Sequence, residues 1–349
     1  MSEKLRVSRY VSPKIPRTRS DAPCLSDHRS VGYGVSGLLQ HAMPRRRFLG
    51  ALGVSLASLT ALANTRRDLA AGHPPSANSA QASQHSVWIW QFSEDGGVAQ
   101  IASRLADKNL AVVVKTHDGV DWMSTYDHVP GAIDGPEEVG VIASFFENQG
   151  LPFHAWCVIK GSDPVREAQM AASVLDAAAR SLTLDLESYE GFWAGSVDDA
   201  RRFGDELRSA APARVDIAID PRPWMMGRVP IDEFVQFTDG IRPQLYWDVF
   251  NTEDNADAYR YMGMPPGPDG ITPEFLLDAT HQLLSPYDRP VIPVGQGSAT
   301  DPTAWPRFLH HAWDVEMQPV DIWRYGVTPM SVIDYLAEHP PGEEPAPSG

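Results

Sequence analysis

The sequence contains little cysteine. Cys24 and Cys157 are the only two among 349 residues, which excludes a small fold held together by a disulfide framework. Cys157 lies within an apolar, strand-like run, so we expect a buried structural thiol rather than a nucleophile. Motifs for phosphate loops, zinc proteases and paired metal-binding cysteines are missing too, and a glycine pattern at 32–37 has no strand before it. We therefore expect no metal and no cofactor.

Positive charge is scarce over most of the chain. The formal net charge is −16, and residues 64–349 alone carry 19 Lys and Arg against 42 Asp and Glu, a net charge of −23. Such a surface repels phosphate backbones and anionic lipids, so we expect no nucleic-acid partner. No apolar run approaches the roughly 20 residues that a membrane-spanning helix needs, so we expect no stable membrane insertion of the mature protein. With 43% hydrophobic residues, the chain can nevertheless bury a sizeable core.

The N-terminal residues carry an export pattern. It consists of Arg45-Arg46-Arg47, Phe48-Leu49, an apolar run over 51–63 and the small-residue ending Ala61-Leu62-Ala63. This arrangement resembles a twin-arginine signal, which implies a protein that is secreted or otherwise extracytoplasmic. We predict an upstream leader over 1–42, with Met43 as the candidate true start. A signal peptide over 43–63 and a flexible linker over 64–85 follow.

Residues 86–338 alternate between β-rich runs and amphipathic helical stretches. The predicted strands are Val87–Phe92, Ala111–His117, Pro152–Lys160, Leu182–Glu187, Val215–Asp220, Ile241–Trp247, Pro290–Gly295 and Val320–Tyr325. The predicted helices are Gly97–Asn109, Glu138–Asn148, Pro164–Ala179, Val197–Ser209, Ile231–Phe237, Thr272–Leu284, Pro302–Asp314 and Met330–His339. Eight such units predict a single α/β domain, a (β/α)8 TIM barrel. An open doubly wound sheet is the alternative, and residues 339–349 are expected to form a disordered tail.

Polar residues at the ends of the predicted strands are the first site candidates, because active sites of (β/α)8 barrels lie at the C-terminal ends of the strands. We interpret as substrate-binding candidates the residues Gln91, His117, Lys160, Asp220, Arg222, Gln244, Gln296 and Arg324. Lys160 and Arg324 would suit a uronate or phosphate group, and salt bridges are an equal alternative for both.

The segment Leu182-Thr183-Leu184-Asp185-Leu186-Glu187 carries the sharpest signal. Alternation along a strand places Asp185 and Glu187 on one face and the three leucines on the other. Since leucines should face the helices, both carboxylates should point into the barrel mouth. Two carboxylates this close cannot both ionise easily, which prepares one of them as a general acid. The alternative is a structural pair held by Lys160 or Arg222.

An Asp-x-Glu that closes the fourth strand of such a barrel resembles the chitinase-like family 18 and lysozyme-like family 25 glycoside hydrolases. The resemblance implies that Glu187 is the acid/base and that Asp185 orients the acetamido group of the substrate. It places Tyr246, in Gln244-Leu245-Tyr246-Trp247-Asp248, as the acetamido-binding tyrosine with Asp248 beside it, and Trp323 as the floor of the sugar subsite.

The resemblance covers the barrel architecture and about five positions. Where the longer chitinase motif has two further aspartates, this chain has Arg180 and Thr183, and the first strand lacks the aspartate of the lysozyme-like family. If no acetamido group takes part, Asp248 is the better candidate for a nucleophile or charge stabiliser. A carboxyl separation of about 5–5.5 Å would suit a nucleophile, and a wider one an inverting pair.

Aromatic residues also concentrate in the loops after the strands. The tryptophans there are Trp122, Trp193, Trp224, Trp247 and Trp323. Exposed aromatic faces stack on sugar rings, although each ring singly could instead pack a loop onto the rim. We include Trp193, Trp247 and Trp323 among the substrate-binding candidates.

These patterns together predict an exported glycoside hydrolase-like enzyme that acts on a cell-wall or extracellular polysaccharide or oligosaccharide, with Glu187, Asp185, Asp248 and Tyr246 as catalytic candidates. The first alternative is a catalytically silent barrel that binds saccharide. A second is a barrel enzyme that acts on another substrate through His117 and Lys160.

Overall fold

A computed structural model describes residues 84–345. It contains eight parallel strands in chain order: β1 (Ser86–Ile89), β2 (Ala111–Asp118), β3 (Phe153–Val158), β4 (Ser181–Leu186), β5 (Arg214–Ile219), β6 (Gly240–Leu245), β7 (Val294–Gln296) and β8 (Asp321–Trp323). Each strand pairs with the next, and β1 pairs with both β2 and β8, so the sheet closes on itself. The predicted (β/α)8 barrel is confirmed and the open sheet is excluded.

Helices surround this barrel. They are α1 (Phe92–Asp95), α2 (Val98–Leu105), α3 (Pro136–Asn148), α4 (Pro164–Asp176), α5 (Val197–Ala210), α6 (Pro223–Met226), α7 (Ile231–Phe237), α8 (Trp247–Phe250), α9 (Glu253–Tyr261), α10 (Pro273–Leu284), α11 (Ala304–Asp314) and α12 (Met330–Glu338). The sequence pattern did not predict α1, α6, α8 or α9, which lie in the loops at the C-terminal ends of strands. A two-residue strand, Asp121–Trp122, pairs antiparallel with the end of β2.

The strands are buried on both faces, as expected for a parallel barrel. On the outer face, residues such as Leu182, Leu184 and Ile217 belong to the large core between sheet and helices. The inner face holds a smaller cluster of Trp88, Val113, Trp156, Val158, Ala218 and Val294. Strand β7 is shorter than predicted because Pro290 and Pro293 have no N–H for the ladder.

Ion pairs fill the lower interior of the barrel, near the N-terminal ends of the strands. Arg242 bonds through Nε to Asp216 Oδ2 at 3.0 Å and also contacts Asp321. Trp88 Nε1 donates to Asp321 Oδ2 at 2.9 Å, and Arg214 Nε donates to Asp216 Oδ1 at 3.1 Å. Both aspartates are fully buried, and Arg242 compensates the charge of each, with Arg214 as a second cation for Asp216.

The two ends of the barrel domain meet on one side. His85 donates from Nε2 to the carbonyl of His339, 2.9 Å away, and accepts the N–H of Val320 at Nδ1. Gly342 N–H donates to Gln318 Oε1 at 3.0 Å, so the first residues of the predicted tail are attached to the barrel. The predicted leader, signal peptide and linker up to residue 83 lie outside the described residues. Between 84 and 345 no helix is long and apolar enough to cross a membrane.

Replacing Arg242 by methionine should lower the free energy of unfolding by about 3–5 kcal/mol, because it leaves buried Asp321 without its cation and Asp216 with Arg214 alone. Urea denaturation would measure this loss. Arg260→Met is the matched control, since Arg260 forms its ion pairs with Glu253 and Asp257 on the exposed side of α9. Equal loss in the two variants would contradict a stabilising role for the buried network.

Candidate active site

Asp185 and Glu187 lie together at the mouth of the barrel. Asp185 is the fifth residue of β4 and Glu187 follows the strand directly, and alternation turns both inward as predicted. Gln244 from β6 bridges them, since its Nε2 donates to Asp185 Oδ1 at 3.0 Å and to Glu187 Oε1 at 2.8 Å. On the intervening strand β5 the residue in register with Asp185 is Ala218, whose small side chain leaves room for this bridge.

Both carboxyl groups are almost completely buried, 6% exposed for Asp185 and 3% for Glu187. Burial raises the pKa of Asp185 to about 7, against the attraction of Lys115. Burial and the adjacent charge of Asp185 raise the pKa of Glu187 well above its usual range. Glu187 Oε2 has no hydrogen-bond partner among the described residues. The pair thus offers one proton-bearing carboxyl with a free oxygen.

Tyr246 and Asp220 complete the acidic side of this mouth. Burial, followed by the charges of Glu187, Asp185 and Asp220, raises the pKa of Tyr246 well above its usual range, so its hydroxyl keeps its proton. Asp220 is bound by Arg222, with Nη2 2.5 Å from Oδ2, and by the Tyr189 hydroxyl at 2.9 Å. Arg222 is itself buried, with its guanidinium 4.3 Å from the Phe250 ring centre. Asp220 is therefore held by two partners, and Arg222 binds this carboxylate rather than a substrate.

Three tryptophans form an aromatic floor inside the barrel. The Trp323 ring centre lies 5.8 Å from that of Trp88 and 5.4 Å from that of Trp156, in edge-to-face arrangements. Trp323 is half-buried and belongs with Phe192 and Trp90 to the rings that pack on the inner cluster. The predicted position of Trp323 in the barrel mouth agrees with this placement. The sequence reasoning missed Trp88 and Trp156, because it searched strand ends and loops and these two lie within strands.

Asp248 does not join the carboxylates. The chain turns into α8 after Tyr246, which ends the alternation of β6, and Asp248 Oδ2 instead accepts from the N–H and hydroxyl of Thr300 at 2.8 Å. Gln296 accepts the N–H of Asp248 at 3.0 Å and so holds the start of this helix. Trp247 packs on Trp305 and Phe308 in the outer core. The expectation that Asp248 and Trp247 line the site needs correction, whereas Gln296, two residues after inward-facing Val294, stays on the inner face.

His117 and Lys160 are also placed apart from the pair. His117 lies in register with outward-facing Cys157, is fully buried, and packs on Trp122. Burial lowers its pKa to about 3. Lys160 sits at the exposed rim, 3.9 Å from Asp121. This geometry gives no support to an enzyme built on these two residues. An inward pair that the sequence reasoning missed, Lys115 and Asp118, occupies the place expected for His117.

The remaining candidates have structural contacts. Trp193 is 5% exposed and packs edge-on against Phe203 and Phe234 in the outer core. Gln91 is buried at the start of α1. Arg324 pairs with buried Asp95 and lies 4.9 Å from the Trp90 ring centre. Among residues 84–345 no group of three or more His, Cys, Asp or Glu side chains is arranged to hold a metal ion.

Solved structures resemble this barrel. The C-terminal domain of a putative chitinase from Desulfitobacterium hafniense DCB-2 shares 11% identity at a TM-score of 0.51 and covers 73% of this chain and 97% of that one. The catalytic domain of a mannanase from Streptomyces sp. SirexAA-E shares 13% identity, TM-score 0.42, with 69% and 75% covered. An N-acetylneuraminate lyase from Mycoplasma synoviae shares 11%, TM-score 0.39, with 73% and 70% covered.

Sequence comparison adds no relative. No protein-family model matches the chain. No curated protein matches it either. At 11% identity and a TM-score of 0.51, the likeness to the Desulfitobacterium hafniense domain shows the (β/α)8 fold alone.

Asp185→Asn should stabilise the protein at alkaline pH. A carboxyl whose folded pKa is about 7 and whose unfolded pKa is near 4 disfavours folding increasingly as pH rises between these values. The variant should therefore melt several degrees above the wild type at pH 8, since each kcal/mol is about 2–4 °C for a large domain. The gain should vanish near pH 4. Thermal melts at both pH values measure it.

Asp248→Asn is the matched control, because Asp248 is exposed and bonded to Thr300. A melting difference for Asp185→Asn that did not change with pH would contradict the assignment of a buried, proton-binding carboxyl.

Proposed function

We propose that the protein is an exported glycoside hydrolase-like enzyme that cleaves a cell-wall or extracellular polysaccharide, with Glu187 as the general acid. The buried Asp185–Glu187 pair carries this proposal. Hydrolysis of a glycosidic bond needs an acid that is still protonated near neutral pH, and the raised pKa of Glu187 meets that need. Export depends on the twin-arginine pattern, which lies outside the described residues.

The reaction would begin with proton transfer from Glu187 to the glycosidic oxygen as the bond from that oxygen to the anomeric carbon breaks. Oε2 of Glu187, which is buried and has no hydrogen-bond partner among residues 84–345, is the oxygen that would face the substrate once the mouth admits it. Trp323, the partly exposed ring of the tryptophan floor, would stack on the sugar ring that carries the developing positive charge. Asp185 as a carboxylate and the Tyr246 hydroxyl lie on the same side of the mouth and would hold a substituent of that ring.

An acetamido group on the substrate is the favoured nucleophile. The carboxylates of residues 84–345 whose charges act most on Glu187 are Asp185 and Asp220, and Arg222 and Tyr189 already hold Asp220. With Asp248 turned away, residues 84–345 offer no free carboxylate there to attack the anomeric carbon. An acetamido oxygen of the sugar would form that bond instead, held by Asp185 and Tyr246, so we favour an N-acetylated glycan.

Glu187→Gln should abolish release of reducing ends and leave binding of the same oligosaccharide intact, because the amide keeps the shape and loses the proton. The assay measures this release from acetylated and from deacetylated polysaccharides. The rate of Glu187→Gln should be lower than that of the wild type by at least about 100-fold, as for removal of a general acid. Glu190→Gln, on the exposed loop three residues later, is the control. Full activity in Glu187→Gln would end the proposal, and a comparable loss in Asp248→Asn would restore Asp248 as the nucleophile.

Gln244→Met should move the pH profile of kcat to higher pH. Activity requires protonated Glu187 and falls as pH rises through the pKa of that group. The Gln244 amide stabilises the charged forms of both carboxyls and so lowers their pKa values. Its removal raises both, and the alkaline limb should shift upward while kcat falls. Initial rates measured from pH 4 to 10 test this, and a shift to lower pH would contradict the bridging role.

The second candidate function is saccharide binding without catalysis. The 3% exposure of Glu187 favours it, since a catalytic acid has to reach the glycosidic oxygen. Tight binding on a glycan array, with no reducing ends released from any bound ligand, would select this function.

A further inference from the structure

Strand β2 contains an irregularity that changes which of its side chains enter the barrel. Lys115 lies opposite Trp156, whereas His117 and not Thr116 lies opposite Cys157, so Thr116 is an extra residue. Bulges of this kind re-aim the side chains that follow them. Lys115 and Asp118 consequently both face the interior, although strict alternation would place them on opposite faces.

The two re-aimed side chains form an ion pair beside the carboxylates. Lys115 Nζ lies 2.8 Å from Asp118 Oδ1, and the side chains are 5% and 16% exposed. The ammonium group is also 5.0 Å from the ring centre of Trp156 and 4.9 Å from that of Tyr126. Asp118 is in register with Val158, which is in register with Asp185. Val158 on β3 therefore lies between Asp118 on β2 and Asp185 on β4, and all three residues are at the same height in the barrel.

The charges around the two carboxyls differ. Asp185 faces Lys115, which lowers its pKa, and Asp118, which raises it. The groups that face Glu187 are Asp185, Asp220, Gln244 and Arg222. Of the two cations, Arg222 contacts Asp220 at two points, whereas Lys115 contacts Asp118 at one, 2.8 Å away, and acts on Asp185 as well. Lys115 is the cation that distinguishes Asp185 from Glu187.

We propose that Lys115 is a positioning residue that keeps Asp185 as the carboxylate and leaves the proton of the pair on Glu187. Lys115 contacts no reacting atom. When Glu187 gives its proton to the glycosidic oxygen, the pair bears two negative charges, and the ammonium group offsets the second. This catalytic consequence rests on the proposed function, whereas the charge assignment itself is a property of the free protein.

The test is a carbon-13 NMR titration of protein labelled at the aspartate carboxyls, with Asp185→Asn to assign the Asp185 signal. Lys115→Met should raise the titration midpoint of Asp185 by about one pH unit or more, as expected for loss of a nearby opposite charge. Asp118→Asn removes a like charge and should lower the midpoint. A packing role for the pair would not move the midpoint in opposite directions.

Two lysine variants serve as controls. Lys115→Arg keeps the charge and should leave the midpoint near that of the wild type. Lys108→Met breaks an ion pair with Asp334 on the outside of the barrel and should leave it unchanged. The inference is overturned if Lys115→Met and Asp118→Asn shift the midpoint in the same direction or not at all. If Lys115→Met does not fold, the downward shift in Asp118→Asn decides the question, and its absence overturns the inference.

The outcomes separate this inference from the proposed function. Opposite shifts in a protein that cleaves no polysaccharide would reject the proposed function and retain the charge assignment. Unshifted midpoints, together with loss of hydrolysis in Glu187→Gln, would reject only the role of Lys115.

Discussion

The hydrogen bonds from Gln244 to Asp185 and Glu187 are the contact on which the upper half of the barrel depends. One amide group from β6 reaches two carboxyls on β4, across a strand whose inward residue is alanine. Burial would otherwise drive both groups toward their neutral forms. With one donor shared between two acceptors, the pair is held together and only part of its charge is compensated.

In the lower half of the barrel, the charges of buried carboxylates are compensated by arginine. There Arg242 contacts both Asp216 and Asp321, and indole and guanidinium donors supply further bonds. At the mouth, Arg222 compensates Asp220 and Lys115 compensates Asp118, whereas Oε2 of Glu187 has no hydrogen-bond partner among residues 84–345. The ion pairs in the lower interior therefore stabilise the fold, whereas the carboxyl groups at the mouth can still bind a proton. Such incomplete satisfaction is typical of sites that act on a ligand.

The sequence predicted the barrel and the inward carboxylates well because both depend on simple periodicity. Three leucines alternating with Thr183, Asp185 and Glu187 leave only one way to orient β4. The end of β6 was harder to predict. A helix begins at Trp247, so Asp248 left the face that Tyr246 occupies, and Trp247 entered the outer core.

Two other differences between the predicted and the observed positions of side chains also have local causes. The bulge at Thr116 reverses the faces of the residues after it, which replaced His117 by Asp118 in the mouth. No residue type in Ala111–Asp118 marks that bulge. Trp193 and Trp323 both follow strands, but only contact with the outer helices or with the inner rings decides which of them can meet a sugar. Single residues near strand ends therefore carry less information than the alternation within a strand.

The central claim is that Glu187 holds a proton at a pH where ordinary glutamates are charged. Infrared difference spectroscopy of wild type against Glu187→Gln at pH 6 measures this directly in the free protein. We expect a protonated-carboxyl band in the wild type that is missing from the variant. If the wild type instead shows only the carboxylate band for this residue, Glu187 is ionised and cannot be the general acid.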